Sequence, residues 1–412
     1  MISLLLFSLF GILVGVVTGL LPSFHINNLI PLLLSLSFIF PTNYELAIFI
    51  VSVAITQIFI SYIPSVFLGA PSEDTALSVL PGHRLLLQGR GYEAITIVVF
   101  SSLISLIMSL VLIFILSNSF KWLYEATRAY VAYLILFVIL LMIFSEKRLK
   151  RIVLASFIFL LSGFLGILVL GSSLVSQQNV LFPTLSGLFG LSTVIISMSE
   201  RSRIPYQEWS ATIKMRSIDF LKAVLLGSIA GIIVGFLPAI GVSQAATMMQ
   251  YLGGLGEARA FLATVSSVNI ANEVFSLNSL YLVNNPRSGA SVAIQRIMGN
   301  LTFNDVLLLI GVICFVAGIA SAITLFLGKR IPRILAKLNY KFISICVIVF
   351  ITTLVFIFTG IFGLLILFTS TSTGILAISL RVRRSHCMGV LLLPSLLFFT
   401  NLTPLVLSIL RI

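Results

Sequence analysis

The chain has 412 residues, 59% of them apolar and only 9% charged, with a formal net charge of +13 and a mean hydropathy of +1.18. That composition excludes a soluble globular domain, and in so apolar a chain the basic excess reads as topology signal in short loops, not as a nucleic-acid footprint. Three cysteines, Cys314, Cys346 and Cys387, lack metal-ligand spacing, so neither a metal nor another cofactor is expected.

The first predicted helix, 2–21, carries Gly11, Gly15 and Gly19 and is followed by Pro22. It lacks a basic n-region and a clear cleavage site, so it reads as a retained helix and not as a signal peptide. Residues 24–40 follow the proline. A helix at 46–68 holds Gln57, Ser61, Tyr62 and Pro64. A polar connection spans 69–93, and apolar segments come at 94–117, 130–144, 152–171 and 182–199. A charged and aromatic link, 200–219, precedes a second series in the same order: 220–238, 239–252, 258–283, 303–328, 341–359, 361–380 and 386–410. Most of these have the length that crosses a bilayer as helix.

The second series opens on Gly227, Gly231, Gly235 and Pro238, the first motif repeated at an offset of 216. Glycines four apart share one helix face and let another backbone approach closely; proline then breaks the helix. At the same offset Thr56-Gln57 falls on Asn272-Glu273, and looser matches join Gly163 to Gly360 and Pro183 to Pro394. The expected fold is an all-α polytopic membrane protein of two repeats, 1–205 and 206–412, with roughly 12–14 membrane segments, including Pro-broken or re-entrant helices. Seven segments per repeat would invert the second copy relative to the first. The basic loops at 146–151, 200–219, 329–341 and 381–384 then share one side, the cytoplasm.

Two groups of residues invite a functional reading. Pro22, Ser23, His25, Asn27 and Asn28 follow the first break; Pro238, Gly241, Ser243 and Gln244 follow the second. Two helix N-termini inside the membrane offer free N–H groups to a small anion; kinks whose polar residues merely cap a helix are the plainer alternative. The second group is Asn269, Asn272, Glu273 and Ser276, with Gln57 as the apparent repeat partner of Glu273. An acid within a span is costly unless paired or solvated, so this cluster reads as a site for a coupling Na⁺ or H⁺, or as a buried hydrogen-bond cluster between helices. His83 and His386 read as surface loop residues. Ser288 and Ser291, after Pro286, read as helix caps. No catalytic constellation or P-loop is present, so the protein is not expected to be an enzyme.

The glycine helices ending at Pro22 and Pro238, the stretch Gly69-Ala-Pro71-Ser to Gly89-Arg-Gly91-Tyr-Glu-Ala, and Phe182-Pro183-Thr-Leu-Ser-Gly187-Leu-Phe-Gly190 resemble the TctA family. This is the large membrane subunit of tripartite tricarboxylate transporters, and the likeness extends to its archaeal branch. The resemblance implies a multi-pass cell-membrane permease for a di- or tricarboxylate, driven by secondary active transport. It also implies a small membrane subunit and an extracellular binding protein as partners, besides the lipid bilayer and the anionic substrate. Where the family has glycine after each motif proline, this chain has Ser23 and Ala239. The alternative is a flippase for an anionic lipid carrier such as a polyprenyl phosphate. The absence of Lys or Arg from both break motifs favours the small organic anion.

Overall fold

The computed structural model describes residues 2–21, 40–68, 79–116, 130–146, 148–172, 174–176, 179–199, 205–208, 210, 212–236, 241–254, 257–284, 286–335 and 340–410. Among these there are helices and no strands. In chain order they are α1 (Ile2–Leu20), α2 (Asn43–Leu68, with a turn at Ser61), α3 (Val79–Leu87), α4 (Gly91–Leu116), α5 (Val131–Phe144) and α6 (Leu149–Gly171). Then come α7 (Leu181–Leu185), a π-helical turn (Ser186–Leu191), α8 (Ser192–Ser199), α9 (Ser217–Phe236), α10 (Val242–Gly253) and α11 (Ala258–Val283). The chain ends with α12 (Gly289–Met298), α13 (Phe303–Leu335), α14 (Tyr340–Ser379), a 3₁₀ turn (Arg384–Met388), α15 (Gly389–Phe399) and α16 (Thr403–Leu410). Eight helices among the described residues are long and apolar enough to cross a membrane, and a pair bent by 113° can supply a ninth. The protein is a multi-pass, all-α membrane protein.

The glycine faces determine the packing. A Cβ at Gly11, Gly15 or Gly19 would lie 2.6 Å from Ser52 Cβ, 2.6 Å from Thr56 Cβ or 2.9 Å from Ile60 Cβ. A Cβ at Gly227, Gly231 or Gly235 would lie 2.5 Å from Ser267 Cβ, 2.2 Å from Ala271 Cβ or 2.6 Å from Phe275 Cβ. Only glycine lets the backbones come this close. In each set the partner's number rises with the glycine's, so α1 runs parallel to α2 and α9 runs parallel to α11. Successive parallel helices require a return leg. For the second pair that leg is α10: Lys222 Nζ, early in α9, donates to Gly253 O at the end of α10 at 2.8 Å. The segment expected at 239–252 therefore runs back to the level at which α9 began.

The spans α2 and α11 run in opposite senses. Near the end of α2, the Val66 backbone is hydrogen-bonded to His83 of α3. Next to α3, the Gln207 side chain accepts from Gly91 N–H at 2.9 Å and donates to Leu86 O at 3.0 Å. Glu93 of α4 then joins Arg259 at the start of α11. The end of α2 and the start of α11 thus share one end of the bundle. At the other end, Asn43 Nδ2 at the start of α2 donates to Ile297 O of α12 at 2.9 Å, and α12 begins beside Ser276 of α11. The first end carries Arg90, Lys214, Arg216, Lys222 and Arg259, and the positive-inside rule assigns it to the cytoplasm.

The later helices form a second group. The 40 residues of α14 would be about 60 Å long if straight, roughly twice a bilayer, but Gly360 (φ 64°, ψ −158°) breaks the rod where the sequence places the gap between 341–359 and 361–380. Gly187 lies against Leu367 O, and Gly374 against Leu188 O. Several expectations need correction here. His386 is fully buried and not on the surface, because its 3₁₀ turn packs against the loop bearing Glu146; its Nε2 lies 3.4 Å from Glu146 Oε1. His83 is likewise buried, under the end of α2. Arg384 is not simply a loop charge. Its guanidinium donates to Leu188 O at 2.6 Å, Phe189 O at 2.7 Å, Ser192 Oγ at 2.7 Å and Thr193 Oγ1. It thereby satisfies carbonyls at the π-helical turn. The connections read as loops, 69–93 and 284–302, each contain a short helix, α3 and α12.

Candidate functional site

The centre of the molecule is formed by α2 and α11. They are the most enclosed spans, with 100% and 94% of their apolar windows buried, and each has 26 residues. They begin 215 residues apart, at Asn43 and Ala258, and end 215 apart, at Leu68 and Val283. The glycine contacts give the same register: Ser52, Thr56 and Ile60 correspond to Ser267, Ala271 and Phe275. The sequence offset of 216 holds for the glycine helices but not for the spans they clamp, because the connection between them is one residue shorter in the second copy. The positional counterpart of Gln57 is therefore Asn272, not Glu273. Ile58 stands where the second copy has Glu273.

Of the residues expected around the breaks, Pro22, Ser23, His25, Asn27, Asn28 and Pro238 lie outside the described residues, as do the side chains of Ser243 and Gln244. Gly241 is placed immediately before α10, and its carbonyl accepts from Ala245 N–H at 3.1 Å. The polar cluster on α11 is described in full. Asn269 and Ser276 are buried, while Asn272 and Glu273 are half-buried.

Ser276 has a structural task. Its hydroxyl accepts from Arg287 N–H at 2.8 Å and Ser288 N–H at 2.5 Å, and it meets Ser291 Oγ at 2.7 Å. Ser288 caps α12 in a reciprocal box with Ser291, as expected for serines at this spacing after a proline. The Ser288 hydroxyl donates to Glu273 Oε1 at 2.8 Å. Glu273, the one acid deep within a span among the described residues, is thus tethered to the start of the short helix α12. This tether and the α12 cap tie the candidate ion site to the short helix that these serines begin.

The first copy is plainer. Thr56 is fully buried and Gln57 is 5% exposed. Neither Thr56 Oγ1 nor Gln57 Nε2 has a hydrogen-bond partner among the described residues.

A second pair of equivalent contacts lies at the ends of the bundle. At the cytoplasmic end, Glu93 of α4 is 2% exposed. It accepts from Arg259 Nε at 2.9 Å and Lys214 N–H at 2.7 Å, and pairs with Arg90 at 2.9 Å. At the opposite end, Asp305 of α13 accepts from the Tyr44 hydroxyl at 2.8 Å, Thr302 N–H at 2.8 Å and the Thr302 hydroxyl at 2.7 Å. Glu93 and Asp305 are each the third residue of their helix; Arg259 and Tyr44 are each the second residue of theirs. Sequence reading missed both contacts, although an acid in the first turn of each long apolar helix was there to be seen.

The family model described as "Tripartite tricarboxylate transporter TctA family" matches residues 5–389. The chain belongs to the TctA family. A relative in Methanocaldococcus jannaschii, described as an uncharacterized protein, is 32% identical over 406 residues, covering 96% of this chain and 98% of that protein. No solved structure matches. As a TctA protein, the chain is a membrane component of a tripartite tricarboxylate transporter.

Proposed function

We propose that this TctA protein is the permease itself: a secondary-active transporter of a small di- or tricarboxylate, coupled to H⁺ or Na⁺. The observation that carries this reading is the opposed pair of spans, α2 and α11, each clamped by a glycine helix that the sequence breaks with proline. Paired broken helices of opposite sense put two helix ends on a substrate near the membrane centre. Glu273 is the group best suited to the coupling ion, since a carboxylate at that depth is stabilised by a bound cation or proton. The partners in this reading are a small membrane subunit and an extracellular binding protein. The two repeats divide near residue 205.

The test is uptake of labelled citrate into proteoliposomes under an imposed pH or Na⁺ gradient. Citrate should accumulate under one of the two gradients. Glu273→Gln should remove the dependence on that gradient and lower uptake by at least tenfold. If no di- or tricarboxylate moves under either gradient, with the family's binding protein supplied, the reading is wrong.

A further inference from the structure

We propose that Gln57 and Asn272 form a matched pair of carboxamide ligands, one from each inverted copy, that donate hydrogen bonds to the carboxylates of the substrate. This rests on the reading of the chain as a carboxylate permease. It goes beyond that reading by assigning the recognition groups and setting them apart from Glu273.

Four observations converge on this pair. Gln57 and Asn272 are each the fifteenth residue of a 26-residue span. Each directly follows the residue that packs on the middle glycine, Thr56 on Gly15 and Ala271 on Gly231. Each lies beside the glycine stripe: a Cβ at Gly19 would be 3.4 Å from Gln57 Cα, and one at Gly231 would be 3.1 Å from Asn272 N. In sequence, the break prolines follow Gly19 and Gly235 by three residues, so both amides belong to the part of the fold where each glycine helix ends.

The hydrogen bonding points the same way. Native proteins satisfy nearly all buried polar atoms, yet among the described residues Gln57 Nε2 is buried with no partner, as is the neighbouring Thr56 hydroxyl. Asn272 makes no side-chain hydrogen bond among the described residues, although Glu273 and Ser276 on either side of it do. A buried N–H donor kept without an internal acceptor is suited to an acceptor that comes and goes. The sequence supplies no Lys or Arg within either break motif, so neutral donors must meet the substrate's negative charge there. Primary amides bind a carboxylate without holding it as tightly as a buried arginine would, which suits release on the far side. Two such groups related by the inverted repeat suit a substrate with at least two carboxylates.

The experiment is thermal unfolding of the purified, detergent-solubilised protein against increasing citrate, with a monocarboxylate and sulfate as controls. Wild-type protein should be stabilised by citrate in a saturable way. Gln57→Leu and Asn272→Leu should each raise the apparent dissociation constant about tenfold or more, the effect of one lost hydrogen bond to a charged group. Without citrate, Gln57→Leu should unfold at the wild-type temperature or above it, because it removes N–H donors that have no partner among the described residues. Gln57→Glu, which places a like charge against the substrate, should abolish the response.

If the wild type responds and all three variants respond equally, the pair is not the ligand and the permease reading stands. A lower unfolding temperature for Gln57→Leu without citrate would show that the amide serves the fold, and would likewise overturn the proposal. If the wild type responds to no carboxylate, the reading on which the proposal rests fails, and the proposal with it.

Discussion

The two ends of the central bundle are fastened by equivalent positions with different chemistry. In both cases an acid in the first turn of a long helix reaches the second residue of the other copy's enclosed span. At the cytoplasmic end the result is a buried ionic knot of Glu93, Arg259, Arg90 and the Lys214 backbone. At the opposite end it is a single phenol donating to Asp305, whose other oxygen is held by Thr302. The positions within the helices match at the two ends. The charges diverged in keeping with their side of the membrane, where basic residues gather on the cytoplasmic face. The difference teaches that the contact between copies survives without an ion pair, and that the arginine strengthens one end only.

The comparison breaks most sharply at Glu93. Glu93→Ala leaves two largely buried guanidinium groups and a backbone N–H without their acceptor, and removing one partner of such a set costs about 3 kcal/mol. The unfolding temperature should fall by several degrees, and cleavage of the link 205–216 by added protease should rise. Glu93→Gln should recover part of the loss, since its carbonyl still accepts from Lys214 N–H. If Glu93→Ala costs no more than a change at the other end, the buried knot is not the stronger fastening.

The matching change, Tyr44→Phe, should cost about 1 kcal/mol, the net value of one partly exposed hydrogen bond. Asp305 keeps both bonds from Thr302 and is not orphaned. A double-mutant cycle with Asp305→Asn isolates the contact. A coupling near zero would mean that the hydroxyl and the carboxylate merely lie side by side, and that the equivalence with Glu93 and Arg259 carries no energy.

Much of the architecture was legible because membrane spans and glycine faces are periodic in sequence. The helices 2–20, 217–236 and 258–283, and the break at Gly360, fall where apolar runs and glycines put them. What the sequence hid depended on register or on distant partners. The offset of 216 joined Gln57 to Glu273, and only the packing of Thr56 and Ala271 on their glycines corrects it to Asn272. The helices α3 and α12 are only 9 and 10 residues long, too short to stand out as membrane spans, and each is interrupted by polar residues such as His83, Arg84, Gln295 and Arg296. Arg384 read as a topology charge because its acceptors, Leu188 and Phe189 of the π-helical turn and Ser192 and Thr193 at the start of α8, lie some 190 residues earlier in the chain. The residues around Pro22 and Pro238, where the sequence argument for a site was strongest, lie outside the described residues, so the candidate site now rests on the spans beside them.

The smallest expected effect separates the short helices at the two ends. His83 on α3 is buried under the end of α2, and that burial lowers its pKa below the ordinary 6.5, against a hydrogen bond to the Val66 backbone that works the other way. At the offset that matches Glu93 to Asp305, the corresponding residue on α12 is Gln295, which bonds Asn284 Oδ1 at 2.8 Å and does not titrate. A histidine whose folded pKa is lowered resists the proton that the unfolded chain accepts. Above pH 6.5 both states are neutral and His83 has no effect on the pH dependence. As the pH falls through 6.5 the unfolded chain takes up a proton first, so stability is lost, at no more than about 1.4 kcal/mol per pH unit. The loss levels off below the folded pKa. The difference between wild type and His83→Phe should therefore be flat from pH 8 to 7 and move against the wild type from pH 6.5 to 5, while Gln295→Ala shows no such trend. Parallel curves for wild type and His83→Phe below pH 6.5 would mean that the imidazole accepts a proton as readily in the fold as outside it, and that the two short helices do not differ in this respect.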